Sequence, residues 1–142
     1  MSDNPLVKKL KLKPSARAAV VNAPQGYIES LTPLPEGATL TETLDGKFDW
    51  IQAFVSNKGQ IDALAPALIQ ALNPESLLWI CFPKGTSKIQ TDLTRDKGWD
   101  SFQQSDLKWV VLVSIDPTWS AFCLRPYKSG EQRQTWWREW SG

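Results

Sequence analysis

Apolar residues fall into two kinds of run along this chain. Residues 17–21, 48–55, 76–82, 107–115 and 118–125 are short and nearly continuous in apolar character, the pattern of strands covered on both faces. Residues 58–72 instead place Ile61, Leu64, Ala65, Leu68, Ile69 and Leu72 at helical spacing, which predicts a helix with one continuous apolar face. Ser56 or Asn57 can cap its start, and Asn73-Pro74 marks its end. Residues 4–13 mix lysines with Leu6, Val7, Leu10 and Leu12; Leu6 and Leu10 share a helical face, so a short amphipathic helix with solvated lysines is expected. Residues 27–31 can make another short helix, threonine-rich residues 39–43 a further strand, and Thr91 or Asp92 opens a helix carrying Trp99 and Phe102.

Strands that alternate with helices predict an α/β fold: a mostly parallel sheet of about six strands with helices on both faces, three layers in all. Asp116-Pro117 joins the last two strands so closely that they form an antiparallel hairpin, which adds one antiparallel strand at an edge. The link around Leu44-Asp45-Gly46-Lys47 is short for a parallel crossover. Either the second strand is antiparallel, or an extended loop returns without a helix. Residues 1–127 form one domain, and residues 128–142 a tail rich in tryptophan and arginine.

Composition narrows the chemistry. The 142 residues carry 16 basic and 15 acidic side chains, a net charge of +1, so no global field recruits nucleic acid or an anionic membrane. No apolar leader opens the chain, and no run reaches membrane-spanning length. Histidine is absent, which removes Ser-His-Asp and Cys-His nucleophile systems and histidine-ligated metals. The two cysteines, Cys81 and Cys123, sit apart in apolar runs and read as buried free thiols in a reducing, cytoplasmic protein. No metal and no cofactor are expected.

The run from Leu12-Lys13-Pro14-Ser15 through Val20-Val21-Asn22-Ala23-Pro24-Gln25-Gly26 resembles the first strand and loop of class I S-adenosylmethionine methyltransferases. Phe48-Asp49-Trp50-Ile51 looks like their fourth strand, residues 71–80 like their helix, turn and fifth strand, and the last hairpin fits their antiparallel seventh strand. The chain also resembles a small uncharacterised bacterial family, a domain of unknown function, through Asn22-Ala23-Pro24-Gln25-Gly26-Tyr27, Pro83-Lys84, Asp92-Leu93-Thr94-Arg95-Asp96 and Trp119-Ser120. The resemblance implies a truncated, Rossmann-like methyltransferase fold and favours the helix-free return between the second and third strands. The chain departs from the methyltransferase loop: its acidic position is Val20, its first glycine Asn22 and its second Pro24, and only Gly26 remains. Proline offers no N–H and valine no carboxylate, so standard methyl transfer is not expected.

Ligands of open α/β sheets sit at the carboxyl ends of the strands. That rim should gather Asn22, Gly26 and Tyr27 with Lys84, Ser87 and Lys88, followed by Asp92 and Arg95 at a helix start that can hold an anion. Glu42 or Asp45 can grip ribose hydroxyls, or stand as solvated loop acids. Trp136, Trp137 and Trp140 share one side of the tail if it is helical, and should dock on the domain, on a second copy or on another protein. The leading expectation is a non-catalytic methyltransferase-like binding or regulatory domain. The alternative is an enzyme or sensor that binds a nucleotide or phosphorylated metabolite, a small anionic ligand, at the rim.

Overall fold

The structure is a computed structural model that describes residues 5–84, 102, 107–128 and 130–131. In chain order the elements are α1 (Pro5–Lys9), β1 (Arg17–Val21), a 3-10 turn (Ile28–Leu31), β2 (Thr39–Thr41), β3 (Phe48–Phe54), α2 (Lys58–Gln70), β4 (Leu72–Pro83), β5 (Leu107–Ser114) and β6 (Trp119–Pro126). The strands form one sheet in the order β2-β1-β3-β4-β6-β5. Pairing is parallel from β2 to β4 and antiparallel on both sides of β6. This is the expected α/β sandwich, mostly parallel and closed by an antiparallel hairpin.

The hairpin sits differently from the expectation. Its antiparallel strand β6 is not at an edge but between β4 and β5, and β5 is the outer strand. Burial explains the choice. Ala121, Phe122, Cys123 and Leu124 are all fully buried, and side chains that alternate across a strand can be buried together only where both faces are covered. Val110, Val111, Leu112 and Val113 of β5 are half-buried, as suits an edge.

β2 is parallel to β1, so the chain does return without a helix. The reason is that β2 has only 3 residues. From Thr41, level with Ala19, the chain must descend about 10 Å and pass sideways about 10 Å to reach Phe48, well within the reach of residues 42–47. Arg17 of β1 straps this return. Its guanidinium donates to the carbonyls of Asp45 and Lys47 and lies 4.0 Å from the centre of the Phe48 ring. Gly46 takes φ +84° beneath it, and an added Cβ there would stand 3.3 Å from Arg17 Nη1.

Two cores flank the sheet. Ile61, Ala65 and Leu68 of α2, together with Phe102, pack on one face against Ile51, Leu78, Ile80 and Phe122. On the other, Val7, Leu10 and Leu12 join Tyr27 and Leu31 over Val20, Trp50, Trp79 and Cys81. Asn57 caps α2 by accepting the Gln60 N–H at 2.9 Å. The helix ends at Gln70, short of the expected residue 72, because Leu72 is drawn into pairing with Phe48. Asn73-Pro74 consequently lies in the bulged start of β4, where Asn73 Nδ2 donates to the Phe48 carbonyl and to Asp49 Oδ1.

Helix α1 is shorter than the expected span because it closes in a Schellman motif: Lys11 N–H returns to Lys8 O and Leu12 N–H to Val7 O. Lys11 holds φ 58° in the position that glycine normally takes. Leu12 is thus buried by a turn rather than by a helix face.

Candidate functional site

The carboxyl rim of the sheet begins with the turn after β1. Val20 is completely buried, so its position has no room for a solvated carboxylate. Asn22 adopts φ 58° and Gly26 φ 82°, so the turn keeps left-handed backbone at both ends; asparagine is among the few non-glycine residues that tolerate it. Tyr27 N–H closes the turn on Pro24 O at 3.0 Å.

Tyr27 decides the shape of this end. Its side chain is not offered to solvent but is 8% exposed, and its hydroxyl lies 2.7 Å from Gln52 Nε2 and 3.0 Å from Gln52 Oε1. Gln52 Nε2 also donates to Cys81 Sγ at 3.1 Å. The Tyr27 ring meets Phe54 edge-on at 4.6 Å, and Phe54 meets Trp119 at 5.1 Å. The turn is thereby pinned to the face of β3 across three elements. Burial pushes the Tyr27 phenol above its ordinary pKa, and pushes the Cys81 and Cys123 thiols up to about 12. All three groups stay neutral at physiological pH.

Of the other expected residues, Lys84, Glu42 and Asp45 are described. Lys84 follows β4, with its N–H on Thr118 O at 2.7 Å and its ammonium on the Ser114 hydroxyl. Glu42 follows β2 at the same end of the sheet, whereas Asp45 lies at the opposite end, where Arg17 holds its carbonyl. Trp119 lies beside the hairpin turn, with its ring edge-on to Phe54 at 5.1 Å. Asp116 turns the hairpin by accepting the N–H groups of Thr118 and Trp119, both at 2.8 Å. Ser87, Lys88, Asp92 and Arg95, like Trp136, Trp137 and Trp140, lie outside the described residues.

An S-adenosylmethionine site needs donors and an acid that this turn does not present. Pro24 brings no N–H, Val20 is sealed in the core, and Tyr27 draws the turn down onto the sheet. Among the described residues, the turn after β1 does not fit that cofactor. Gln52 escaped the sequence reading, although a lone amide inside Trp50-Ile51-Gln52-Ala53-Phe54 is a visible signal of a buried polar partner.

The amino end of the sheet holds a second polar assembly. Glu131 accepts from both Arg125 terminal nitrogens (3.0 and 2.7 Å), from Lys108 Nζ at 2.8 Å and from Lys128 N–H at 2.9 Å. Arg125 and then Lys108 hold its carboxyl well below the usual carboxylate range. Since the folded pKa is depressed, this clamp contributes fully above the ordinary glutamate pKa of about 4.3 and is lost only as pH falls through the lower folded value. A carboxyl carbon NMR titration should therefore find no Glu131 midpoint near 4.3, and Arg125→Gln should move the midpoint back up. A wild-type midpoint at the ordinary value would show that the clamp does not form in solution.

Among the described residues, no helix is long and apolar enough to cross a membrane. No family model matches the chain, and no curated protein matches it. Solved structures do. A ribosomal protein L11 methylase from Lactobacillus delbrueckii subsp. bulgaricus aligns with TM-score 0.57 at 15% identity, over 86% of this chain and 76% of that one. DhpI, solved as a complex with SAH, gives 0.59 at 9%, over 85% and 82%. A SAM-dependent methyltransferase from Aquifex aeolicus gives 0.55 at 9%, over 84% and 86%. At such identities the likeness establishes architecture alone: this chain has the Rossmann-like α/β fold of the SAM-dependent methyltransferases.

Proposed function

We propose that this chain is a methyltransferase-like domain that does not transfer methyl groups and acts as a binding or regulatory module. The pinned turn carries the reading. Tyr27, fastened to Gln52 and Phe54, covers the sheet at the strand ends where this fold class takes its ligands. Pro24 and buried Val20 remove the donor and the acid that a nucleoside cofactor uses there. The two unpaired, buried thiols suit the reducing cytoplasm. The tail of residues 128–142, rich in tryptophan and arginine, is the segment that meets a protein partner or a second copy.

The fold likeness to a SAM-dependent methyltransferase and to DhpI, solved with SAH, supports the contrary reading, and one experiment separates the two. Titration calorimetry of the full chain with S-adenosylmethionine and S-adenosylhomocysteine should give no saturable heat up to about 1 mM, the range of −4 kcal/mol binding. Micromolar binding of either nucleoside would overturn the proposal.

A further inference from the structure

At the end of the sheet opposite the pinned turn, a cavity of about 530 Å³ opens on the face that carries α1. This size falls within the roughly 300–1,000 Å³ typical of small-molecule sites. Its apolar wall is formed by Leu77 and Val110 on the sheet together with Pro14 and Pro74. Lys11, Lys13, Lys128 and Arg125 surround that wall, with Ser15 beside them, while Asp49 and Glu75 are the acids in the lining.

The charges are not equivalent. Arg125 is held by Glu131, and Asp49 is engaged at both oxygens by the Arg17 N–H and the Asn73 amide. Lys11 and Lys13 form no ion pair among the described residues, and both are exposed. The backbone here is also costly. Lys11 and Ser15, two of the three described non-glycine residues at positive φ (58° and 64°), both line this cavity. Strain of this kind persists where surrounding structure enforces it, and it gathers at functional positions. Lysine at the Schellman glycine position places an ammonium at the cavity's edge, which glycine cannot do.

From this arrangement we propose that the cavity binds a phosphate monoester joined to a flat, partly apolar body of nucleoside size. The lysines take the phosphate as compact cations, and the body lies on Leu77 and Val110. This goes beyond the binding-module reading and lies at the other end of the sheet, so the S-adenosylmethionine titration does not bear on it.

The test is an amide NMR titration of the full chain with adenosine 5′-monophosphate, using adenosine and inorganic phosphate as comparisons. Saturable shifts should be centred on residues 11–16, 74–77 and 125–128, with adenosine 5′-monophosphate binding more tightly than either comparison compound. Lys11→Gly with Lys13→Ala should weaken it about tenfold, and Glu75→Gln should tighten it about twofold, the scale of single partly exposed charges. Glycine relieves the left-handed strain at position 11, so Lys11→Gly alone should melt no lower than wild type while binding less well. That pairing distinguishes a ligand contact from damage to the fold. The proposal is overturned by silence to 10 mM (about −2.7 kcal/mol), by shifts centred on residues 22–27, by equal binding of inorganic phosphate, or by affinity unchanged in the lysine variants.

Discussion

Tyr27→Ala should destabilise the domain by about 3–4 kcal/mol, the usual cost of truncating a buried aromatic side chain. Two losses combine. The ring leaves a void against Phe54, and Gln52, completely buried in the middle of β3, loses the hydroxyl that both ends of its amide contact. Tyr27→Phe isolates the second loss and should cost about 1–2 kcal/mol, since a buried polar group without its partner bears a desolvation penalty. Adding Gln52→Leu to Tyr27→Phe should recover most of that, because replacing both partners by apolar groups comes close to neutral. Urea unfolding of wild type, Tyr27→Phe, Gln52→Leu and the double variant closes one cycle, with Tyr27→Ala measured beside it. A Tyr27→Ala cost below about 1 kcal/mol would show that the turn is not anchored through this side chain, and the closed rim would lose its support.

The second large effect has the opposite sign. Pro66 sits inside α2 and is exposed. It gives no N–H to the carbonyl of Asp62 one turn earlier, and its ring crowds that carbonyl, a defect worth about 3 kcal/mol in a helix interior. Pro66→Ala restores the hydrogen bond and contacts nothing new in the core, since Ile61, Ala65 and Leu68 form the buried stripe. The unfolded chain gains about 0.4–1 kcal/mol of freedom in exchange. A net gain of about 2 kcal/mol is expected, read as a melting temperature higher by roughly 6–8 °C. No gain, or a loss, would mean that the helix is bent around this proline in a way its packing on β4 requires.

The fold was legible where local chemistry decides it. β1 occupies residues 17–21 as the apolar run implies, and α2 begins at Lys58 because Asn57 caps it. The rest depended on partners remote in sequence. Leu72 continues the helical spacing of α2, yet Phe48 draws it into β4. Leu12 extends the stripe of residues 4–13, yet a turn buries it. Residues 118–125 are apolar on both faces, which places β6 inside the sheet, yet chain order alone puts a terminal hairpin strand at an edge. At the rim, the substitutions at Val20, Asn22 and Pro24 were visible, but Tyr27 read as an open-turn residue because its partner Gln52 is 25 positions away. The cavity at the other end is assembled from five separate stretches of chain, and lysines that read as a solvated helix face line its edge.

The inner position of β6 also dictates an order of assembly. Among the described strands, β5 is hydrogen-bonded to β6 alone, although β5 comes first along the chain. While a nascent chain extends, β1, β2 and β3 can pair as soon as residue 54 is available, since their connections are short. β5 must wait, with its edge unmet, until residues 119–126 have been made. The hairpin can then close on a scale of about 1–10 μs and dock on β4 as a unit, completing the sheet from within.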